Sequence, residues 1–158
     1  DYTSLRAQGS VQTTLAQRWQ LALRVQGQLS SGALVPGEQF GLGGSTAVRG
    51  YEEREVSGDA GALASLELHG PDLAGRVFSA VDHFHLLGFL DGGRVRNRLG
   101  TPCRDLQSSC DLASAGLGAR LGSGGLQVKL DWAFALKNGS HTARHDQHLH
   151  LQVAYSFH

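Results

Sequence analysis

The chain has 158 residues, 18% of them charged, with 22 glycines and a formal net charge of +0 when the histidines are neutral. That length fits one domain, and the charge balance leaves no basic footprint for nucleic acid. No apolar run approaches the ~20 residues of a spanning helix, and no basic segment followed by an apolar core reads as a signal peptide.

Period-two alternation of apolar and polar residues dominates, and helical periodicity is nearly absent. A first strand is expected near residues 4–14. In the second, Trp19, Leu21, Leu23, Val25 and Leu29 oppose Gln20, Arg24, Gln26, Gln28 and Ser30. A third is expected near 61–70. Over 83–95, Phe84, Leu86, Gly88 and Leu90 point outward, and His85, Leu87, Phe89 and Asp91 point inward. Over 112–122, Ala113, Ala115, Leu117, Ala119 and Leu121 oppose Ser114, Gly116, Gly118 and Arg120. Leu126, Val128, Leu130, Trp132, Phe134 and Leu136 then oppose Gln127, Lys129, Asp131, Ala133 and Ala135. The last strand sets Leu149, Leu151, Val153, Tyr155 and Phe157 against His148, His150, Gln152, Ala154 and Ser156.

Strands of about 10 residues cross a bilayer when tilted, and their alternation averages to neutral hydropathy. Connections at 16–18, around Gly70-Pro71-Asp72 and at 123–125 are read as short turns on one side. Those at 31–60, 96–111 and 137–147 are read as long, extracellular loops, the asymmetry of a membrane barrel. Seven strands leave two unpaired edges, which hydrocarbon does not tolerate, so the fold class is an all-β, antiparallel transmembrane β-barrel of which this is the C-terminal part. The absence of methionine fits a chain that begins within a longer protein or after processing. A soluble β-sandwich or lipocalin-like barrel is the alternative, with the apolar face turned inward. It has no use for a long glycine-rich loop.

That loop carries the main motif. Residues 38–51 read EQFGLGGSTAVRGY and are far too long for a hairpin turn. They suit a loop that folds back and sets Arg49 against a fixed partner. Gly43, Gly44 and Gly50 permit the backbone conformations this needs. Downstream, Phe89-Leu90-Asp91-Gly92-Gly93 supplies a carboxylate on the polar face of a strand. Glu67 and Asp131 also face inward and compete for Arg49. The plainer reading is an extracellular loop with a solvated arginine.

Cys103 and Cys110 flank a short polar stretch and fit a disulfide in an oxidising compartment, or two free thiols. His141, His145, His148 and His150 cluster near the last loop, and His83 and His85 share a face. Both sets read as polar lumen and loop residues, with no metal assigned. Glu67, Asp91 and Asp131 admit a barrel-based hydrolase, but no nucleophile motif accompanies them. Trp19, Trp132, Tyr155 and Phe157 fit aromatic girdles at the membrane interface.

EQFGLGGSTAVRGY, then GDAGALASLEL, FLDGG, LASAGLGARL, LQVKLDWAFAL and an aromatic C-terminus resemble the TpsB transporters of two-partner secretion. These form the haemolysin secretion/activation family of the POTRA-barrel superfamily, and the resemblance covers essentially the whole chain. It implies a barrel of about sixteen strands in the bacterial outer membrane, preceded by periplasmic POTRA domains that this sequence lacks. It implies a non-enzymatic pore, without cofactor, that passes an unfolded exoprotein (an adhesin or haemolysin) to the cell surface in type V secretion. The implied partners are that exoprotein, outer-membrane lipid and the barrel-assembly machinery during insertion, with no nucleic acid. The loop 31–60 is expected in the lumen, where Arg49 meets Asp91 as a structural clasp. Val48, Gly50 and Tyr51 complete the loop motif, and Phe89 and Gly93 the strand motif. The runner-up within the superfamily is a barrel-assembly insertase.

Overall fold

A computed structural model describes residues 2–76 and 80–157. In chain order the strands are β1 (Ser4–Thr14), β2 (Gln20–Ser30), β3 (Phe40–Leu42), β4 (Val56–Gly58), β5 (Ala60–His69), β6 (His83–Arg96), β7 (Ser109–Ser123), β8 (Leu126–Ala135) and β9 (Gln147–Tyr155). Seven of them form one antiparallel sheet in the order β1-β2-β5-β6-β7-β8-β9, while β3 and β4 pair with each other. No helix among the described residues is long and apolar enough to cross a membrane, which says nothing of a barrel.

Alternation decides which way each side chain points, because successive residues of a strand face opposite sides. Leu86, Leu90, Leu117, Trp132, Leu149 and Leu151 stand exposed on the outer face. Leu87, Phe89, Asp91, Leu112, Ser114, Asp131, Ala133 and Ala135 are buried on the inner one. The sheet curves enough that Ser10 and Gln12 of β1 and His150 and Gln152 of β9 line one cavity of about 920 Å³. This is a partial barrel with β1 and β9 as its ends.

Two features differ from the sequence reading. The connection after β5 is not a short turn: it runs over residues 70–82. Its first residues lie along the start of β6, where Gly70 N–H donates to Leu86 O at 2.8 Å and Leu73 N–H to Phe84 O at 2.8 Å. The inner wall is also not polar throughout. Leu63, Val95, Leu112 and Ala135 form a buried apolar cluster with Leu42, Val48, Tyr51 and Val56. The second group belongs to the connection between β2 and β5, so that loop covers part of the inner wall as a protein core would.

Candidate functional site

The loop is shaped by residues that only glycine can replace. Gly43 has φ +104°, and a Cβ there would lie 2.3 Å from the Glu52 carbonyl oxygen. Gly50 has φ +91°, and its Cβ would press on Ala133 at 3.2 Å. The positive φ at each is a left-handed backbone that only glycine adopts without strain, and the close neighbours leave no space for a side chain in addition. The wall is cut to match. A Cβ on Gly93 would meet Leu42 at 2.7 Å, one on Gly61 would meet Phe40 at 2.5 Å, and one on Gly116 would meet Phe89 at 2.4 Å. Missing side chains on the inner face thus become sockets for the loop and for Phe89.

Between Val48 and Gly50 the loop delivers Arg49 to the wall, where it is 4% exposed. Its Nε donates to Asp91 Oδ2 at 2.7 Å and its Nη2 to Asp91 Oδ1 at 2.8 Å, a two-point carboxylate fork. Nη2 also donates to Ser65 Oγ at 3.1 Å. Nη1 donates to Glu67 Oε1 at 2.7 Å and to Asp131 Oδ2 at 3.5 Å. A guanidinium has five N–H donors, and each has an acceptor here. The plane of the group lies over Phe89, with Cζ 3.6 Å from the ring centroid, a cation–π contact in a largely desolvated place. Burial opposes the charge of Arg49, but Asp91 and Glu67 outweigh it and hold the group protonated well above its ordinary range.

The acceptors are themselves held. Ser65 Oγ donates to Asp91 Oδ1 at 2.6 Å. Arg120 grips Asp131 with Nη1 at 2.7 Å and Nη2 at 3.2 Å. Two guanidiniums thus face the three carboxylates of Asp91, Glu67 and Asp131, and His69 Nε2 sits 2.8 Å from Glu67. Glu67 and Asp131 do not compete with Asp91 for Arg49; they bind its other donors. Ser65 and Arg120 escaped the sequence reading because a serine and a lone arginine in strands carry no motif. The parity that placed Asp91 inward also places Ser65 and Glu67 inward on β5 and Arg120 on β7.

Further contacts fix the rest of the loop. Tyr51 is fully buried. Its hydroxyl has the carbonyls of Ala113 at 2.7 Å and Lys137 at 2.8 Å as acceptors for its single proton, and accepts the Lys137 N–H at 3.1 Å. Burial raises its pKa above the ordinary phenol value. Glu55 Oε1 accepts the backbone N–H groups of His141 at 2.6 Å and Thr142 at 2.7 Å, joining the loop to the connection between β8 and β9. Burial pushes the Glu55 carboxyl up, yet these donors outweigh it and hold it below its usual range. Asp59 likewise accepts from Leu34 N and Arg98 N at 2.8 Å each, and those bonds overcome its burial to lower its pKa.

The remaining candidates lie elsewhere. Cys103 and Cys110 are joined by a disulfide, with Cys110 a buried member of the apolar cluster and Cys103 packed against it. Gly44 stands beside the Glu53 carboxylate. His150 Nε2 accepts the Gly50 N–H at 3.2 Å, so it touches the site through the backbone. With His141, His145 and His148 it forms no metal-sized cluster among the described residues.

The model of the family "Haemolysin secretion/activation protein ShlB/FhaC/HecB" matches residues 1–121. The chain belongs to that family. Among solved structures it is similar to CdiB from Escherichia coli, with a TM-score of 0.80 and 23% identity over 99% of this chain. That likeness shows the fold, a portion of a TpsB barrel. The chain spans 28% of the length of CdiB. No curated protein matches it. The family consists of secretion transporters of the Gram-negative outer membrane that work with secreted exoproteins, and not of enzymes. The chain is therefore a portion of an outer-membrane β-barrel of this family.

Proposed function

We propose that this chain is the C-terminal part of a pore that passes an unfolded exoprotein to the cell surface. In this reading residues 31–60 form a plug within the lumen, and Arg49 with Asp91 is the clasp that holds it. Outer-membrane lipid and the barrel-assembly machinery during insertion are its further partners. The observation that supports this most is the seat of Arg49: a loop residue with every donor engaged by strand residues of the inner wall. An arginine left in solvent would contribute little to holding the loop. The buried seat suits a pore whose resting state is plugged and whose plug is held by polar contacts that can be exchanged.

The clasp has a physical logic. An apolar interface alone binds the loop without direction. The fork between Arg49 and Asp91 fixes its register, because both pairs of atoms must align together. The test is secretion by the full-length transporter carrying Arg49→Ala, with barrel insertion scored by heat-modifiable migration. Reduced secretion by an inserted barrel supports the clasp, and undiminished secretion refutes it.

A further inference from the structure

We propose that Asp72, His83 and His85 form a binding site for a divalent cation of the zinc type at the turn side of β5 and β6. One ligand atom from each of the three residues lies within 4.8 Å of the others. Donors on a tetrahedral zinc at about 2.0–2.1 Å sit about 3.3 Å apart. Asp72 Oδ2 is 3.9 Å from His85 Nε2 and accepts a hydrogen bond from His83 Nδ1 at 2.9 Å, whose proton a bound ion would displace; the two distances bracket that figure.

The donors are aimed before any ion arrives. Asp72 Oδ1 accepts the backbone N–H of Ala74 at 2.8 Å and of Phe84 at 3.0 Å. Those bonds turn Oδ2 toward both imidazoles. His85 Nδ1 donates to the Gly70 carbonyl at 3.4 Å, which leaves Nε2 as the ring's lone-pair nitrogen on the side of Asp72. A ligand imidazole whose other nitrogen is tied to a backbone carbonyl is the usual outer-shell pattern of metal sites. His83 and His85 stack at 6.4 Å between centroids, as two residues on one face of a strand do. Two imidazoles and one carboxylate suit borderline divalent ions, zinc foremost, and leave positions for water. The sequence hid this site because Asp72 lies in the connection before β6, where parity does not apply. A bound ion ties that connection to the first residues of the strand.

The full-length transporter in detergent micelles, stripped by chelator, is titrated with Zn²⁺ by calorimetry and with Co²⁺ by visible absorption. One equivalent is expected to bind at this site. Asp72→Asn keeps an oxygen for the two backbone amides but removes the charge, and should weaken Zn²⁺ binding at least about tenfold. His83→Ala combined with His85→Ala should abolish that equivalent and its Co²⁺ spectrum, whereas His141→Ala combined with His145→Ala should leave both intact. An absence of Zn²⁺ binding, or unchanged affinity in Asp72→Asn and in the double histidine variant, overturns the proposal.

Discussion

Asp91 receives Arg49 three times: through Nε at 2.7 Å, through Nη2 at 2.8 Å and through its backbone N–H at 3.1 Å. The third contact means that Asp91 reads the position of the loop backbone and not the side chain alone. A lysine at position 49 places one ammonium near one oxygen and leaves the other acceptors without their fork.

Arg49→Ala is expected to free the loop by leaving Asp91 buried without a cation. Removing one partner of a buried pair costs about 3–5 kcal/mol. Limited proteolysis within residues 31–60 and hydrogen exchange of the same segment should both accelerate. Arg49→Lys should recover less than half of the lost protection; full recovery would show that charge alone holds the loop.

Gly93→Ala is expected to loosen the same loop without touching a charge. Its Cβ would meet the side chain of Leu42 at 2.7 Å and the Ala62 carbonyl at 2.9 Å. Overpacking of this kind costs about 1–3 kcal/mol. The neighbouring Gly92→Ala is the control, since its Cβ finds nothing nearer than the Leu112 carbonyl at 3.8 Å. Thermal unfolding of the two variants should separate them, and equal stability would remove the socket role of Gly93.

Tyr51→Phe keeps the ring in its apolar setting and deletes a hydroxyl bonded to both β7 and the residues after β8. The Lys137 N–H then loses its acceptor. A loss of about 1–3 kcal/mol is expected, read as a lower midpoint in denaturant.

Acid should undo the contact between Glu55 and the connection after β8. Its folded pKa lies below the ordinary value of 4.5. A depressed carboxylate pKa means stability that is fully present above the ordinary value and is lost as pH falls through the folded one. Protection factors of the His141 and Thr142 amides, which divide out the intrinsic pH dependence of exchange, should therefore be high above pH 4.5 and fall as pH drops below it. In Glu55→Gln the protection factors should be lower at neutral pH and should no longer respond to acid.

Much was legible in the chain. The seven sheet strands follow from alternation in segments such as Leu126–Ala135, where one-residue slippage would reverse every side chain. Asp91 could be placed inward by parity, and the length of 31–60 marked a loop with work to do. The apolar lining was not legible. Leu63, Val95 and Leu112 point into a space that strand patterning treats as wet, and nothing local tells that Leu42, Val48 and Tyr51 return to cover them.

By itself, then, the sequence determined the seven strands of the main sheet and their facing, because those depend on neighbours two residues apart, but not the small β3–β4 pair within 31–60. Only the tertiary structure decided that Ser65, Glu67, Asp131 and Arg120 join Arg49 and Asp91 in one network. Only it decided that Asp72 faces His83 and His85. These groups come from different strands and loops, and the curvature of the sheet and the path of the chain bring them together.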